Sequence, residues 1–281
     1  MNGSATRKIM FLNFFLSMFV GLSRSATVDT LSIYSDAMDK DIKCVVITPD
    51  SYNNRTAELP VIYLLHGYSN NYSTWIKKVP GLAEQVDHYQ LIVVCPDGGF
   101  DSWYWDSPVD TSYRYETHII NEVIPFIDDH YRTIKAREGR AISGLSMGGQ
   151  GAFYLAFRHL DLFGACGSQS GGVDIRPFPK KWGMAKWLGT YADHPEVWEK
   201  HTIINMVCLL PPGSLKIAID CGTDDFFYTV NRKLHEKLAY MNIPHDYTIR
   251  PGKHSWDYWR NSVKYQLLFF NDYFHKNTAE Q

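Results

Sequence analysis

The residues best suited to do chemistry lie in the stretch Arg140-Ala-Ile-Ser-Gly-Leu-Ser-Met-Gly-Gly-Gln-Gly151. It contains Gly-x-Ser-x-Gly as Gly144, Ser146 and Gly148. An apolar strand pattern precedes the motif and a helical pattern follows it, which is the context in which such a serine acts as a nucleophile. The spacing has a steric reason. A serine at a sharp strand-to-helix turn sits in a strained backbone conformation, and side chains two residues to either side would clash. The turn also aims the N-terminus of the next helix at the site, where free N–H groups can hold an oxyanion. Gly149 and Gly151 allow that helix to pack closely.

A serine nucleophile needs a base and an acid that orients the base. Two later loops, each at the expected end of a strand, supply them. Cys221-Gly-Thr-Asp-Asp-Phe226 offers Asp224 and Asp225, and position favours Asp225, with Asp220 inside the strand itself. Pro251-Gly-Lys-His-Ser-Trp256 offers His254. Of the 11 histidines, only His254 has the loop position of a base. His88, His118, His130, His159, His235 and His275 lie in helical patterns and are expected at the surface. His194 and His201 fall in a Pro/Trp-rich segment, His245 opens a strand, and His66 is expected to shape a turn. The oxyanion donors are expected to be the N–H groups of Met147, next to the nucleophile, and of Tyr68, in the loop after an early strand.

These loops need a sheet to hold them. Strand patterns occur at Cys44–Thr48, Val61–Leu65, Leu91–Cys95, Arg140–Ser143, Gly164–Ser168, Leu215–Asp220 and His245–Arg250. The continuous apolar runs at Val61–Leu65 and Leu91–Val94 suit central strands covered on both faces. Helical patterns lie between the strands, at Leu82–His88, Tyr113–His130, Met147–Arg158, Thr229–Met241 and Trp256–His275. That alternation predicts a doubly wound α/β sheet. Leu31–Thr48 reads as an edge hairpin. Residues 171–213 carry five prolines with Trp182, Trp187 and Trp198, and read as an excursion packed over one end of the sheet, either a lid or simply an anchor.

Residues 1–25 stand apart. Arg7 and Lys8 precede the apolar stretch Ile9–Leu22, and Ser23 and Ser25 supply small residues for cleavage. This is the layout of a secretory signal peptide and is short for a membrane span, with an uncleaved anchor as the alternative. It leaves residues 26–281 as a single domain, secreted or periplasmic, with no membrane span. Without Arg7, Lys8 and Arg24, Lys+Arg falls from 28 to 25 against 30 Asp+Glu, a net charge of −5. A mildly acidic chain carries no electrostatic footprint for nucleic acid. The basic cluster Arg132, Lys135, Arg137 and Arg140 is expected to be a solvated loop. Five cysteines without a CxxC spacing argue against a zinc site or a disulfide framework. Cys44, Cys95, Cys166 and Cys221 are expected to be buried.

At these residues the chain resembles the esterase-D-like or tributyrin-esterase branch of the α/β-hydrolases. That branch includes feruloyl and acetylxylan esterases and is related to S-formylglutathione hydrolases and mycolyltransferases. The matching pieces are Leu64-Leu-His-Gly67, Trp75, Asp97-Gly98, Ser102-Trp-Tyr104, Gly144-Leu-Ser-Met-Gly-Gly149, Cys221-Gly-Thr-Asp-Asp-Phe226 and Gly252-Lys-His-Ser-Trp256, spread over roughly residues 40–270. Lys253 departs from the glycine that often precedes the histidine. The resemblance implies an α/β-hydrolase fold, a triad of Ser146, His254 and Asp225, and ester hydrolysis through an acyl-enzyme with no metal or organic cofactor. With export, it points to acetyl or feruloyl esters of carbohydrates. The alternatives are an acyltransferase, an S-formylglutathione-hydrolase-like thioesterase, a serine peptidase and a non-catalytic binding protein. Trp103, Tyr104 and Trp105 are either an aromatic platform beside the site or core.

Overall fold

A computed structural model describes residues 26–279; the expected signal peptide, residues 1–25, lies outside them. Eight strands form one sheet: β1 (Thr27–Ser35), β2 (Lys40–Thr48), β3 (Val61–Leu65), β4 (Ile92–Pro96), β5 (Arg140–Leu145), β6 (Ala165–Gln169), β7 (Lys216–Gly222) and β8 (Asp246–Arg250). Their order across the sheet is β1-β2-β4-β3-β5-β6-β7-β8. β1 and β2 are the antiparallel edge hairpin, β2 meets β4 antiparallel, and every later pairing is parallel. The chain therefore has the α/β-hydrolase fold.

The helices are α1 (Thr74–Lys78), α2 (Leu82–Tyr89), α3 (Tyr115–Thr117), α4 (Ile124–His130), α5 (Met147–Arg158), α6 (Met184–Leu188), α7 (Pro195–His201), α8 (Ile203–Met206), α9 (Tyr228–Tyr240) and α10 (Trp256–Ala279). The strands alternate their side chains between two layers of core. Val61, Tyr63 and Leu65 of β3 face α5, the excursion and α9, while Ile62 and Leu64 face α1, α2 and α10. That two-sided burial is why β3 reads as an unbroken apolar run.

The helix expected over Tyr113–His130 is interrupted. A π-helical turn, His118–Val123, joins α3 to α4 just before Pro125. Pro125 has no N–H to give to a residue four back, so the turn widens there.

Two expectations are corrected. Arg132, Arg137 and Arg140 are not a solvated loop. Arg140 is 2% exposed, pairs with Asp128 and donates to the carbonyls of Leu162 and Lys135. Arg137 donates to the carbonyls of Phe163 and Ser214, and Arg132 lies over the ring of Tyr52. Only Lys135 extends into solvent. His118 is buried against Glu122 rather than on the surface. Of the two readings of Trp103, Tyr104 and Trp105, core is the one that holds: all three are buried, and Trp103 stacks on Trp105.

The excursion is anchored by two of its tryptophans. Trp198 is fully buried and donates to the carbonyl of Gly189, and Trp187 stacks on Tyr113. The four cysteines expected inside are buried and free, and Cys208 is exposed.

Candidate active site

β5 ends at Leu145 and α5 begins at Met147, so Ser146 alone makes the turn. Its backbone has φ 54° and ψ −116°, a conformation that costs an L-residue energy and persists only where the surroundings hold it. The Ser146 N–H donates to the carbonyl of Gln169 on β6 (2.9 Å), and its own carbonyl accepts from the N–H of Gln150 (3.0 Å).

His254 Nε2 lies 2.9 Å from Ser146 Oγ. On its other side, Nδ1 lies 2.8 Å and 3.0 Å from the two carboxylate oxygens of Asp225. Asp225 is buried and also accepts the N–H of Phe227 at 2.8 Å, whereas Asp224 is exposed. The structure thus brings Ser146, His254 and Asp225 into one hydrogen-bonded line and leaves Asp224 outside it.

The acid and base loops are bound backbone to backbone. The N–H of Thr223 donates to the Arg250 carbonyl and that of Asp224 to the Gly252 carbonyl, each at 2.9 Å. Beneath them, the Asp220 carboxylate takes hydrogen bonds from Arg250 and Tyr258, tying β7 to β8 and α10. Burial raises the pKa of Asp220, and those donors only partly offset it.

The loop after β3 reaches the serine from the opposite side. A β-carbon on Gly67 would lie 3.4 Å from Ser146 Cβ. Tyr68 follows, and neither its N–H nor that of Met147 donates to another protein group among the described residues. Met147 opens a twelve-residue helix, whose first N–H groups have no partner within the helix.

His66 shapes this loop. It is buried, its Nδ1 donates to the Gly67 carbonyl (2.9 Å), and its Nε2 accepts the Gly98 N–H (2.8 Å). Tyr104 OH donates to the His66 carbonyl from below. Burial pushes the Asp97 carboxyl up, but His66 and the N–H groups of Gly99 and Tyr72 outweigh it and hold the pKa below the usual carboxylate value.

Two further aromatic residues reach the site: Phe226, which the sequence singles out for no role there, and Trp182, which it reads only as part of a lid or an anchor. Phe226 packs its ring on the His254 imidazole, with centroids 4.1 Å apart. Trp182, from the excursion, stacks on Phe226. Phe226 stands in the quoted Gly-Thr-Asp-Asp-Phe piece, but nothing local shows that its partner is 44 residues away in sequence.

Comparison with known proteins places these residues in context. The family model described as Putative esterase matches residues 35–270. An esterase of Mycobacterium tuberculosis (strain H37Rv) is 33% identical over 239 residues, 74% of this chain and 51% of that protein. The chain thus spans about half the length of that relative. An acetyl esterase of Caldicellulosiruptor saccharolyticus is 30% identical over 267 residues, covering 91% of this chain and 95% of that protein. Among solved structures, a ferulic acid esterase is 27% identical with a TM-score of 0.77, covering 89% of this chain and 98% of the other.

Proposed function

Because this chain belongs to the Putative esterase family, we propose that it is a serine carboxylic-ester hydrolase acting through an acyl-enzyme on acetyl or feruloyl esters of carbohydrates. The observation that carries the reading is the contact of His254 Nε2 with Oγ of the strained Ser146, with Asp225 behind the imidazole.

The steps follow from that line. His254 Nε2 takes the Ser146 proton as Oγ attacks the ester carbonyl. Asp225 fixes the tautomer with the proton on Nδ1 and stabilises the imidazolium that forms. The N–H groups of Tyr68 and Met147 receive the oxyanion, each worth about 10²–10³ in rate. The carbonyl–oxygen bond to the alcohol then breaks, and the alcohol oxygen leaves with the proton from Nε2. Water, deprotonated by the same nitrogen, releases the acid and restores Ser146. No step needs a metal or an organic cofactor.

The carbohydrate ester is supported by the acetyl and ferulic acid esterases among the relatives and by the leader-like pattern of residues 1–25, which would place residues 26–281 outside the cytoplasm as one catalytic domain. The test is a panel of acetylated xylan, methyl ferulate, short-chain aryl esters and a peptide amide, run on residues 26–281 and on Ser146→Ala. Ser146-dependent release of acetate or ferulate from the glycan esters is expected. Cleavage of the aryl esters alone would reject the carbohydrate ester, and turnover surviving in Ser146→Ala would reject the serine mechanism.

A further inference from the structure

Phe226 lies between two buried residues, Asp225 and Phe227, yet is itself 51% exposed. One part of its ring covers the His254 imidazole at 37°. Another lies nearly parallel to Trp182, at 22° with centroids 5.6 Å apart. The pair is held firmly from beneath. Trp182 packs on Phe178 and Phe227, and its carbonyl accepts the indole N–H of the buried Trp103 at 3.2 Å. Two distant segments, the acid turn and the excursion, therefore build one aromatic shelf, in which the half-exposed Phe226 ring packs on both Trp182 and the His254 imidazole.

The reaction gives that shelf a direction. The alcohol oxygen must receive its proton from His254 Nε2, so the alcohol departs on the histidine side of the serine. The acyl oxygen points the other way, toward Tyr68 and Met147. A ring that rests on the imidazole thus borders the leaving group. The face of an aromatic ring carries negative charge density. The C–H bonds on one face of a sugar ring, polarised by neighbouring oxygens, complement it, whereas a short alkyl alcohol has too little area to use the shelf.

We propose that Phe226 and Trp182 form the leaving-group subsite and that it receives the ring face of a sugar alcohol. The proposal rests on the ester-hydrolase reading above and adds which side chains select the alcohol.

The test holds the acyl group constant and changes the alcohol. Acetylated xylo-oligosaccharide, ethyl acetate and phenyl acetate are compared with wild type, Phe226→Ala, Phe226→Tyr and Trp182→Ala, with circular dichroism to confirm folding. The readout is the ratio of kcat/KM for the sugar acetate to that for ethyl acetate. It should fall about tenfold in Phe226→Ala and in Trp182→Ala, and Phe226→Tyr should keep it. A parallel loss on both substrates would mean that Phe226 only steadies His254, and would overturn the proposal. A loss confined to phenyl acetate would overturn the sugar assignment. Wild type that cleaves ethyl acetate but not the sugar acetate would overturn the subsite and keep the hydrolase. Wild type that cleaves none of the three would overturn both.

Discussion

Gly144 and Gly148 meet across the turn that carries Ser146. A β-carbon on Gly144 would fall inside contact distance of the Gly148 carbonyl and 2.8 Å from that of Leu65. A β-carbon on Gly148 would lie 2.5 Å from the carbonyl oxygens of both His66 and Leu65. Every one of these obstacles is backbone, so no side chain can swing away. The turn closes, and Ser146 keeps its positive φ, only because both positions lack a side chain.

Gly144→Ala should therefore cost more than about 3 kcal/mol, at the severe end of single substitutions, because three fixed backbone segments would have to separate. Gly149→Ala should cost less. Its nearest obstacle is the Ser168 hydroxyl, a side-chain atom, at 2.7 Å. Urea unfolding midpoints for the two variants check the order, and equal losses would refute the backbone argument.

Asp225→Asn should lower kcat by about 10⁴ with little change in fold, because an amide can favour the wrong imidazole tautomer. Asp224→Asn should change kcat by less than about threefold, since Asp224 is exposed and meets the His254 loop only through its backbone N–H. The reverse order in steady-state kinetics would move the acid to Asp224.

Stability should fall in acid partly through Glu116. Burial pushes its carboxyl up, but donation from His159 and Arg158 outweighs this and leaves the folded pKa below the ordinary 4.5. A group with a depressed folded pKa binds a proton more readily when unfolded. Its contribution is therefore present above about pH 4.5 and is lost as pH falls through the folded value. Glu116→Gln should lower the melting temperature at pH 7 and flatten its decline between pH 5 and 3, read by thermal denaturation across that range. A variant whose decline parallels wild type would show that Glu116 does not carry this acid sensitivity.

The parts of this architecture that were legible in the sequence are those whose cause is local. Val61–Leu65 is apolar at every position because both faces of β3 are covered, and that pattern needs no knowledge of the covering helices. The Ser146 turn announces itself because its geometry demands glycine at fixed offsets, and His254 because it follows a strand end. What could not be read depends on remote partners. Arg140 looks like a surface charge until Asp128 and the Leu162 carbonyl are placed beside it. The sequence leaves Trp103 and Tyr104 open between a platform and core; both take positive φ, and their rings are buried under the site. Phe226 becomes a shelf only once the excursion brings Trp182 to it.

Arg140 gives the last prediction. It opens β5, the strand that leads into the Ser146 turn, and its guanidinium joins Asp128 on α4 to the carbonyls of Lys135 and Leu162. Arg140→Met would keep apolar bulk but leave the Asp128 carboxylate, itself largely buried, without its cation. Breaking one side of such a pair costs about 3–5 kcal/mol, most of it from the stranded charge. Removing both charges should cost less than removing one, so Arg140→Met with Asp128→Leu should recover part of the loss, though not all. Thr133 also donates to Asp128, and two carbonyls still lose a donor. Because the pair is buried, the single-variant loss should change little between low and high salt. Urea unfolding of wild type, both single variants and the double variant measures the coupling. Purely additive losses would show that the two side chains act independently and that the guanidinium serves only the carbonyls.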